Sequence, residues 1–120
     1  MENSQGRDIL AVTTTVGSRD DARRLARAIL QARLAACVQV EEGLTSFYRW
    51  QGKECEEAEV RVTVKTLPGC EQALQALFRE QHPYQLPQFA AVRMQAGGAY
   101  GDWVRGEVTL PEDPRDRLGL

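Results

Sequence analysis

The sequence contains little of the chemistry that metal-binding and redox domains usually carry. Its 120 residues include a single histidine and three cysteines, Cys37, Cys55 and Cys70. Because no two cysteines stand in a C-x-x-C pair, the sequence encodes neither a zinc ribbon nor a dithiol redox pair. An odd number of widely spaced cysteines is typical of free thiols in a reducing compartment, and we therefore predict a cytoplasmic protein.

Long apolar segments and an excess of basic charge are also missing. No stretch approaches the roughly 20 apolar residues that a membrane-spanning helix needs, and the polar N-terminus MENSQGRD does not resemble a signal peptide. The formal net charge of −2 provides no general positive field for nucleic acid. We expect neither a membrane span nor a nucleic-acid partner. The basic residues cluster in RDDARRLARAILQAR, which we interpret as a solvated helix face.

Catalytic patterns are absent as well. The sequence shows no arrangement that resembles a nucleophile with its base and orienting group, and it has no glycine-rich phosphate loop. With one histidine, a general base would have to be His82 or a carboxylate with a shifted pKa. We therefore predict that the protein is not an enzyme, that it has no catalytic residues and that it requires no cofactor.

The order of the sequence patterns predicts the fold class. We predict strands over 9–16, 36–50, about 53–66 and 88–96, helices over 19–35 and 67–82, and a short closing helix after Gly97-Gly98. Ser18 is the expected N-cap of the first helix, and a short strand is expected near Val108–Leu110. The order β-α-β-β-α-β is that of an α+β, ferredoxin-like sandwich with one domain over 9–110. We expect a disordered N-terminus over 1–8 and a flexible tail over 111–120.

The second and third strands form an unusually long hairpin. Arms of about 15 residues would be near 50 Å long, whereas a helix of about 17 residues spans only about 25 Å. The far half, with Phe47, Tyr48 and Trp50, would then be exposed, and we infer that further copies of the chain cover it. The alternative is a hairpin that bends at Gly43 and folds over its own sheet.

Five segments, in this order, carry a family resemblance: RLAACVQV, TSFYRWQGK, Glu59 followed by VKT, HPYQLPQ and GGAYGDWV. Together they resemble the CutA family of divalent-cation tolerance proteins over about residues 9–104. The resemblance implies a tight homotrimer, similar to the PII signalling proteins, and a role in tolerance to copper and other divalent ions. In animals the family is also linked to membrane anchoring of acetylcholinesterase.

Two positions depart from the family pattern. Gln88 follows Pro87 where the family usually has glutamate, which puts cation binding at this position in doubt. Arg61 and Thr63 interrupt a strand that is usually aliphatic, so we expect altered packing at the trimer seam or an acidic partner for Arg61, such as Glu59.

The candidate metal ligands are Cys37 and His82. A neutral imidazole and a thiolate suit copper or another divalent cation, and Met94 could add a soft thioether. The competing interpretations are structural, because a histidine is favourable at a helix C-terminus and a free cysteine packs as a small hydrophobic residue. A site would require these residues to converge, within one chain or across subunits.

A cleft between subunits is the second candidate site. Its predicted members are polar or amphipathic residues of the matching segments: Tyr48, Trp50, Glu59, Lys65, Tyr84 and Trp103. They would bind a small anion or cation, or alternatively form only a polar interface network. An ion pair between Lys65 and Glu59 is equally compatible with the sequence.

The function predicted from these features is that of a trimeric CutA-like protein of divalent-metal tolerance, with weak metal binding. The alternative is a PII-like signalling or scaffold protein that binds a small ligand or a partner protein in the clefts between subunits. The sequence does not identify that partner protein.

Overall fold

A computed structural model of the chain describes residues 8–111. Except for Asp8 and Pro111, the predicted N-terminal and C-terminal disordered segments lie outside these residues. The elements are β1 (Ile9–Val16), α1 (Arg19–Gln31), β2 (Cys37–Trp50), β3 (Lys53–Thr66), α2 (Glu71–Gln81), β4 (Ala90–Met94) and α3 (Gly98–Glu107). The four strands form one antiparallel sheet in the order β2-β3-β1-β4. The predicted α+β, ferredoxin-like arrangement is confirmed.

Side chains alternate between the two faces of the sheet, as a strand period of two requires. Val12 pairs with Val64 on β3, and Val64 pairs with Val38 on β2, so all three point to the face that α1 and α2 cover. The core on this face consists of apolar side chains from both layers: Leu10, Val12, Val16, Ala22, Leu25, Ile29, Ala35, Val60, Val62, Val64, Leu74 and Phe78. The opposite face, called here the open face, carries polar side chains on β2 and β3.

Helix α1 begins as predicted and ends earlier than predicted. The Ser18 hydroxyl accepts a hydrogen bond from the Asp21 backbone N–H at 3.1 Å, which caps the first turn. The helix ends at Gln31 rather than near residue 35, because Arg33 adopts a left-handed conformation with φ of 61°. The backbone N–H groups of Arg33 and Leu34 then donate to Leu30 and Ile29, forming a Schellman motif.

The hairpin of β2 and β3 has the predicted length. Each arm contains 14 residues, and the turn residues Gln51 and Gly52 both have positive φ, as a type I′ turn requires. A bulge shifts the register between Glu41 and Leu44, at the predicted position of Gly43. The bulge does not fold the hairpin over its own sheet, because Phe47 remains 73% exposed and the long axis of the molecule is 49 Å.

The C-terminal part differs from the prediction in two places. Strand β4 covers only Ala90–Met94 because it pairs with the segment Ile9–Thr13 of β1. No strand forms at 108–110. Instead, Val108 is buried with Val104 of α3 in a second apolar cluster, and the Thr109 N–H donates to the Arg33 carbonyl at 2.9 Å. Within residues 8–111, no helix is long and apolar enough to cross a membrane.

Replacing Arg33 with glycine tests the helix end. Glycine adopts positive φ without the steric cost that a side chain meets, so Arg33→Gly should stabilise the fold by about 0.5–1 kcal/mol. The exposed helical residue Gln75 is the control, because Gln75→Gly should destabilise the fold by about 1 kcal/mol. Urea denaturation followed by circular dichroism measures both changes, and an equal loss of stability in the two variants would contradict this account.

Candidate functional site

The centre of the candidate site is the carboxylate of Glu59. Val60 pairs with Val16, the last residue of β1, so Glu59 lies just beyond the end of that strand. Although it is charged, Glu59 is only 9% exposed. The Tyr84 hydroxyl donates to its Oε2 at 2.6 Å. A Cβ at Gly17 would lie 3.5 Å from this hydroxyl oxygen, so the phenol is packed close to the backbone where β1 ends.

Neutral hydroxyl groups keep this buried carboxylate ionised. Burial by itself raises the pKa of Glu59, but hydrogen bonds from Ser46, Tyr84 and Thr15 outweigh that effect and leave the pKa below its ordinary value. Burial and the neighbouring carboxylate raise the pKa of the Tyr84 phenol, which therefore stays protonated and able to donate. Among the described residues, no lysine or arginine forms an ion pair with Glu59.

His82 follows α2 and holds the loop that carries Tyr84. Its Nδ1 accepts a hydrogen bond from the Tyr84 backbone N–H at 3.1 Å, and its Nε2 lies 2.9 Å from the Thr14 hydroxyl. Since Nδ1 accepts, the ring proton of the neutral imidazole is on Nε2. Burial lowers the pKa of His82, and the Thr15 backbone with the carboxylates of Asp21 and Glu59 raises it by less, so the ring is held neutral.

The loop from His82 to Phe89 carries the network around the end of β1. Thr14 is on the helix-covered face of the sheet, where its side chain contacts His82. Thr15 is on the open face and donates to Gln88 Oε1 at 3.5 Å. Aromatic contacts hold the loop, with ring centroids 5.5 Å apart for Phe78 and His82 and 5.3 Å apart for His82 and Tyr84. The result is a polar junction built from β1, β2, β3 and one loop.

The structure brings together only some of the predicted cleft residues. Glu59 and Tyr84 are in contact. Tyr48 lies near them: desolvation and the carboxylate of Glu57 raise its pKa, and Glu59 adds to that rise. Tyr48 in turn contributes to the raised pKa of Tyr84. Trp50 is at the hairpin turn, opposite Lys53, and Trp103 packs against Tyr100 on α3 with a centroid distance of 5.7 Å.

Lys65 lies away from Glu59. Six positions on one strand separate them by about 20 Å, and the Lys65 ammonium donates to Gln39 at 3.3 Å instead. The structure thus does not form the ion pair considered from the sequence. Arg61 does find an acidic partner, but it is Glu41 directly across the hairpin, at 3.4 Å, rather than Glu59.

The sheet separates the two predicted metal ligands. Cys37 pairs with Lys65, which pairs with Ala11, and these residues are on the open face. Thr14, which holds His82, is three positions from Ala11 and therefore on the helix-covered face. Met94 pairs with Ile9 and shares the face of Cys37, with two strands between them. In a single chain these ligands do not converge, so the predicted site would need a second copy and stays a prediction.

The sequence reasoning missed the hydroxyl partners of this junction. Thr14 is fully buried and Thr15 is 9% exposed, and Ser46 supports Glu59 from β2. A signal was present, because consecutive threonines within an otherwise apolar strand place at least one hydroxyl on the core side. A buried hydroxyl needs a hydrogen-bond partner, and His82 supplies it.

Removal of the Tyr84 hydroxyl should weaken the junction. Tyr84→Phe leaves the Glu59 carboxylate without the hydrogen bond from the phenol, and we expect a loss of about 1.5–3 kcal/mol in the free energy of unfolding. Tyr100→Phe is the matched control, since it removes a hydroxyl from a residue that is 43% exposed, and should change stability by less than about 0.5 kcal/mol. Equal effects in chemical denaturation would contradict the assigned role of Tyr84.

Stability should depend on pH through the sole histidine. The pKa of His82 is lowered in the fold, so the unfolded chain binds a proton first as the pH falls. Stability is therefore complete above about pH 7.5 and decreases as the pH is lowered through the ordinary pKa of about 6.5 to about 5.5. Denaturation midpoints across this range measure it. In His82→Asn the amide oxygen can still accept from Tyr84 but does not titrate, and a decrease of the same size in that variant would refute the assignment.

Comparison with protein families gives one consistent result. The family described as CutA1 divalent ion tolerance protein matches residues 10–107. The divalent-cation tolerance protein CutA of Thermus thermophilus is 41% identical over 95 residues, which cover 78% of this chain and 92% of that protein. Protein CutA of Homo sapiens is 36% identical over 98 residues, which cover 81% of this chain and 55% of the human protein.

Solved structures agree with the sequence comparison. The divalent cation tolerance protein of Thermus thermophilus superimposes with a TM-score of 0.80 at 38% identity, covering 84% of this chain and 99% of that chain. CutA from Synechococcus elongatus gives 0.81 at 36% identity, covering 91% and 95% of the two chains. With a family match over nearly all described residues and relatives above 30% identity, this chain belongs to the CutA1 divalent ion tolerance family.

Proposed function

We propose that this protein acts in tolerance to divalent cations as a cytoplasmic homotrimer and not as an enzyme. The observation that carries the proposal is the family match over residues 10–107, together with the 41% identical relative that is named for divalent-cation tolerance. The matched family and the Thermus thermophilus relative are named for tolerance rather than for PII-type signalling, and the PII-like alternative is therefore not favoured. One structural relative, from Archaeoglobus fulgidus, is described as periplasmic, and cell fractionation tests the cytoplasmic location proposed for this chain.

Exposed apolar surface supports the assembly. Phe47 and Val92 are 73% and 61% exposed, and Tyr48, Trp50 and Met94 are more than one-third exposed. Strands β2 and β4 are the two outer strands of the sheet, and every residue of β4 is exposed. An exposed edge with adjacent aromatic side chains favours association with another chain. A closed ring of three copies would cover these edges and leave none free.

Metal binding has weaker support than assembly. The described residues contain no group of three or more histidine, cysteine, aspartate or glutamate side chains close enough to hold a metal ion. Residues 8–111 of one chain therefore do not fit a copper site. In the proposed trimer, Cys37 and Met94 face the surface that other copies would cover, and a soft-metal site between copies is the form that remains compatible with their positions.

The proposal is tested by breaking the assembly and measuring tolerance. Sedimentation equilibrium of the wild-type chain should give three times the chain mass of 13.4 kDa. Phe47→Asp combined with Trp50→Asp should reduce it to the monomer mass, because each aspartate would otherwise be buried without a partner. In bacteria that lack their own CutA protein, the wild-type chain should raise the tolerated copper concentration, and the double variant should not.

The matched control is Lys53→Ser, which changes an exposed residue beside the same turn without adding charge to the apolar surface. It should remain trimeric and support growth like the wild type. Full tolerance from a monomeric double variant would refute the link between assembly and function. Failure of the wild-type chain to raise tolerance at normal expression would refute the proposed function itself.

A further inference from the structure

A groove runs between α1 and α2 on the side of the helix layer away from the sheet. We call it the interhelix trough. One part, of about 530 Å³, is lined by Asp20, Arg23, Arg24, Arg27, Ala28, Gln31 and Gln81. The adjoining part, of about 510 Å³, shares Ala28, Gln31 and Gln81 and adds Ala32, Ala73, Ala76, Leu77 and Glu80. The two parts are continuous because they share three residues.

The trough exists because small side chains line the seam between the helices. Strands β1 and β3 are antiparallel, so the helices that follow them also run antiparallel, and the start of α2 lies beside the end of α1. Ala28 on α1 and Ala32, the C-cap of that helix, line the trough together with Ala73 and Ala76 on α2. Alanine side chains are too short to fill the space between two helices whose axes are about 8–10 Å apart. The floor of this part therefore exposes the methyl groups of the alanines to solvent, and the polar side chains of Gln31, Glu80 and Gln81 flank it.

The other end of the trough carries positive charge that the chain does not fully neutralise. Arg24 is paired with Asp21 at 2.9 Å, whereas Arg23 and Arg27 form no ion pair within the described residues. They stand at i and i+4 on α1, where like charges repel and destabilise the helix. Asp20 is the one carboxylate that lines this end. Two adjacent arginines without partners, beside an apolar floor, suit an anionic and partly apolar occupant.

We propose that the interhelix trough is a docking site for a peptide segment of a partner protein, one in which acidic residues precede small apolar side chains. The carboxylates pair with Arg23 and Arg27, the apolar side chains lie over Ala28, Ala73 and Ala76, and the amides of Gln31 and Gln81 contact the peptide backbone. This assignment goes beyond cation tolerance and does not depend on it.

The shape and charge of the trough favour a peptide over other anions. From Asp20 to Ala32 the trough follows α1 for about 18 Å, which is longer than a phosphate group needs and is suited to an extended or helical segment. Its apolar half has no cations, and the whole chain has a net charge of −2, so a nucleic-acid backbone would find no continuous positive track. The trough is on the helix side, and assembly through the open face and the hairpin leaves it accessible.

Fluorescence anisotropy with a defined probe tests the proposal on the full chain. The probe is a fluorescein-labelled synthetic peptide in which four glutamates precede alternating leucine and alanine. We expect saturable binding that weakens with added salt. Arg23→Glu combined with Arg27→Glu should raise the dissociation constant at least about tenfold, a loss of about 1.4 kcal/mol. Arg33→Glu combined with Arg79→Glu reverses the same number of charges at two exposed positions that do not line the trough, and this charge-matched control should change it less than about twofold.

A second variant tests the apolar half. Ala76→Trp fills the seam and should weaken binding of the probe about tenfold, which a purely electrostatic contact would not show. If circular dichroism shows that Ala76→Trp does not fold, a second measurement replaces this variant. In the wild-type chain, the amide chemical shifts of Ala73 and Ala76 should then change when the probe is added. No binding up to millimolar peptide, equal binding by the double glutamate variant, or equal binding of a polyglutamate peptide of the same length would each overturn the proposal.

Discussion

The structure depends on a mismatch in length between the β2–β3 hairpin and the two helices. Strands of 14 residues extend about 46 Å, whereas α1 and α2, with 13 and 11 residues, extend about 20 and 16 Å. Backbone pairing holds the hairpin together along its entire length, but helices bury it only near one end. From Val60 to Thr66 the side chains facing α1 and α2 are buried, and from Lys53 to Ala58 nearly every residue is exposed. The fold thus creates apolar surface that a single copy leaves in contact with water.

The polar junction marks the boundary between these two halves. Glu59 is the first buried position after the exposed arm, and a nearly buried carboxylate is costly unless hydrogen bonds satisfy it. Hydroxyl donors from β1, β2 and the loop after α2 satisfy it without neutralising its charge. His82 fixes that loop from the helix side, so one histidine and one glutamate connect the core to the base of the hairpin. A loss at either residue would loosen both the core and the base of the hairpin.

Local patterns in the sequence were sufficient for the order of elements, because each of those patterns depends on neighbouring residues. The alternation from Val60 to Val64, the cap at Ser18 and the turn at Gln51-Gly52 are all present in the structure. The end of α1 was missed since Arg33, rather than a glycine, takes the left-handed position. The partners of Lys65 and Arg61 were missed because they depend on the register between strands, which the bulge at Gly43 shifts. Within the candidate site, the contact between Glu59 and Tyr84 joins residues that are 25 positions apart in the sequence. The spacing of residues in the sequence does not reveal such a contact.

The sheet also determines what chemistry one copy can perform. Adjacent residues on a strand point to opposite faces, so Cys37 and Met94 face one side while His82 is enclosed on the other, with both ring nitrogens already in hydrogen bonds. A cation held by all three would require the sheet to open. A cation held by Cys37 or Met94 requires donors from outside residues 8–111 of the same copy, since these residues contain no group of three or more histidine, cysteine, aspartate or glutamate side chains that could hold a metal ion. The positions of these side chains are therefore not those of a metal site within one copy, and the proposed soft-metal site depends on the proposed assembly.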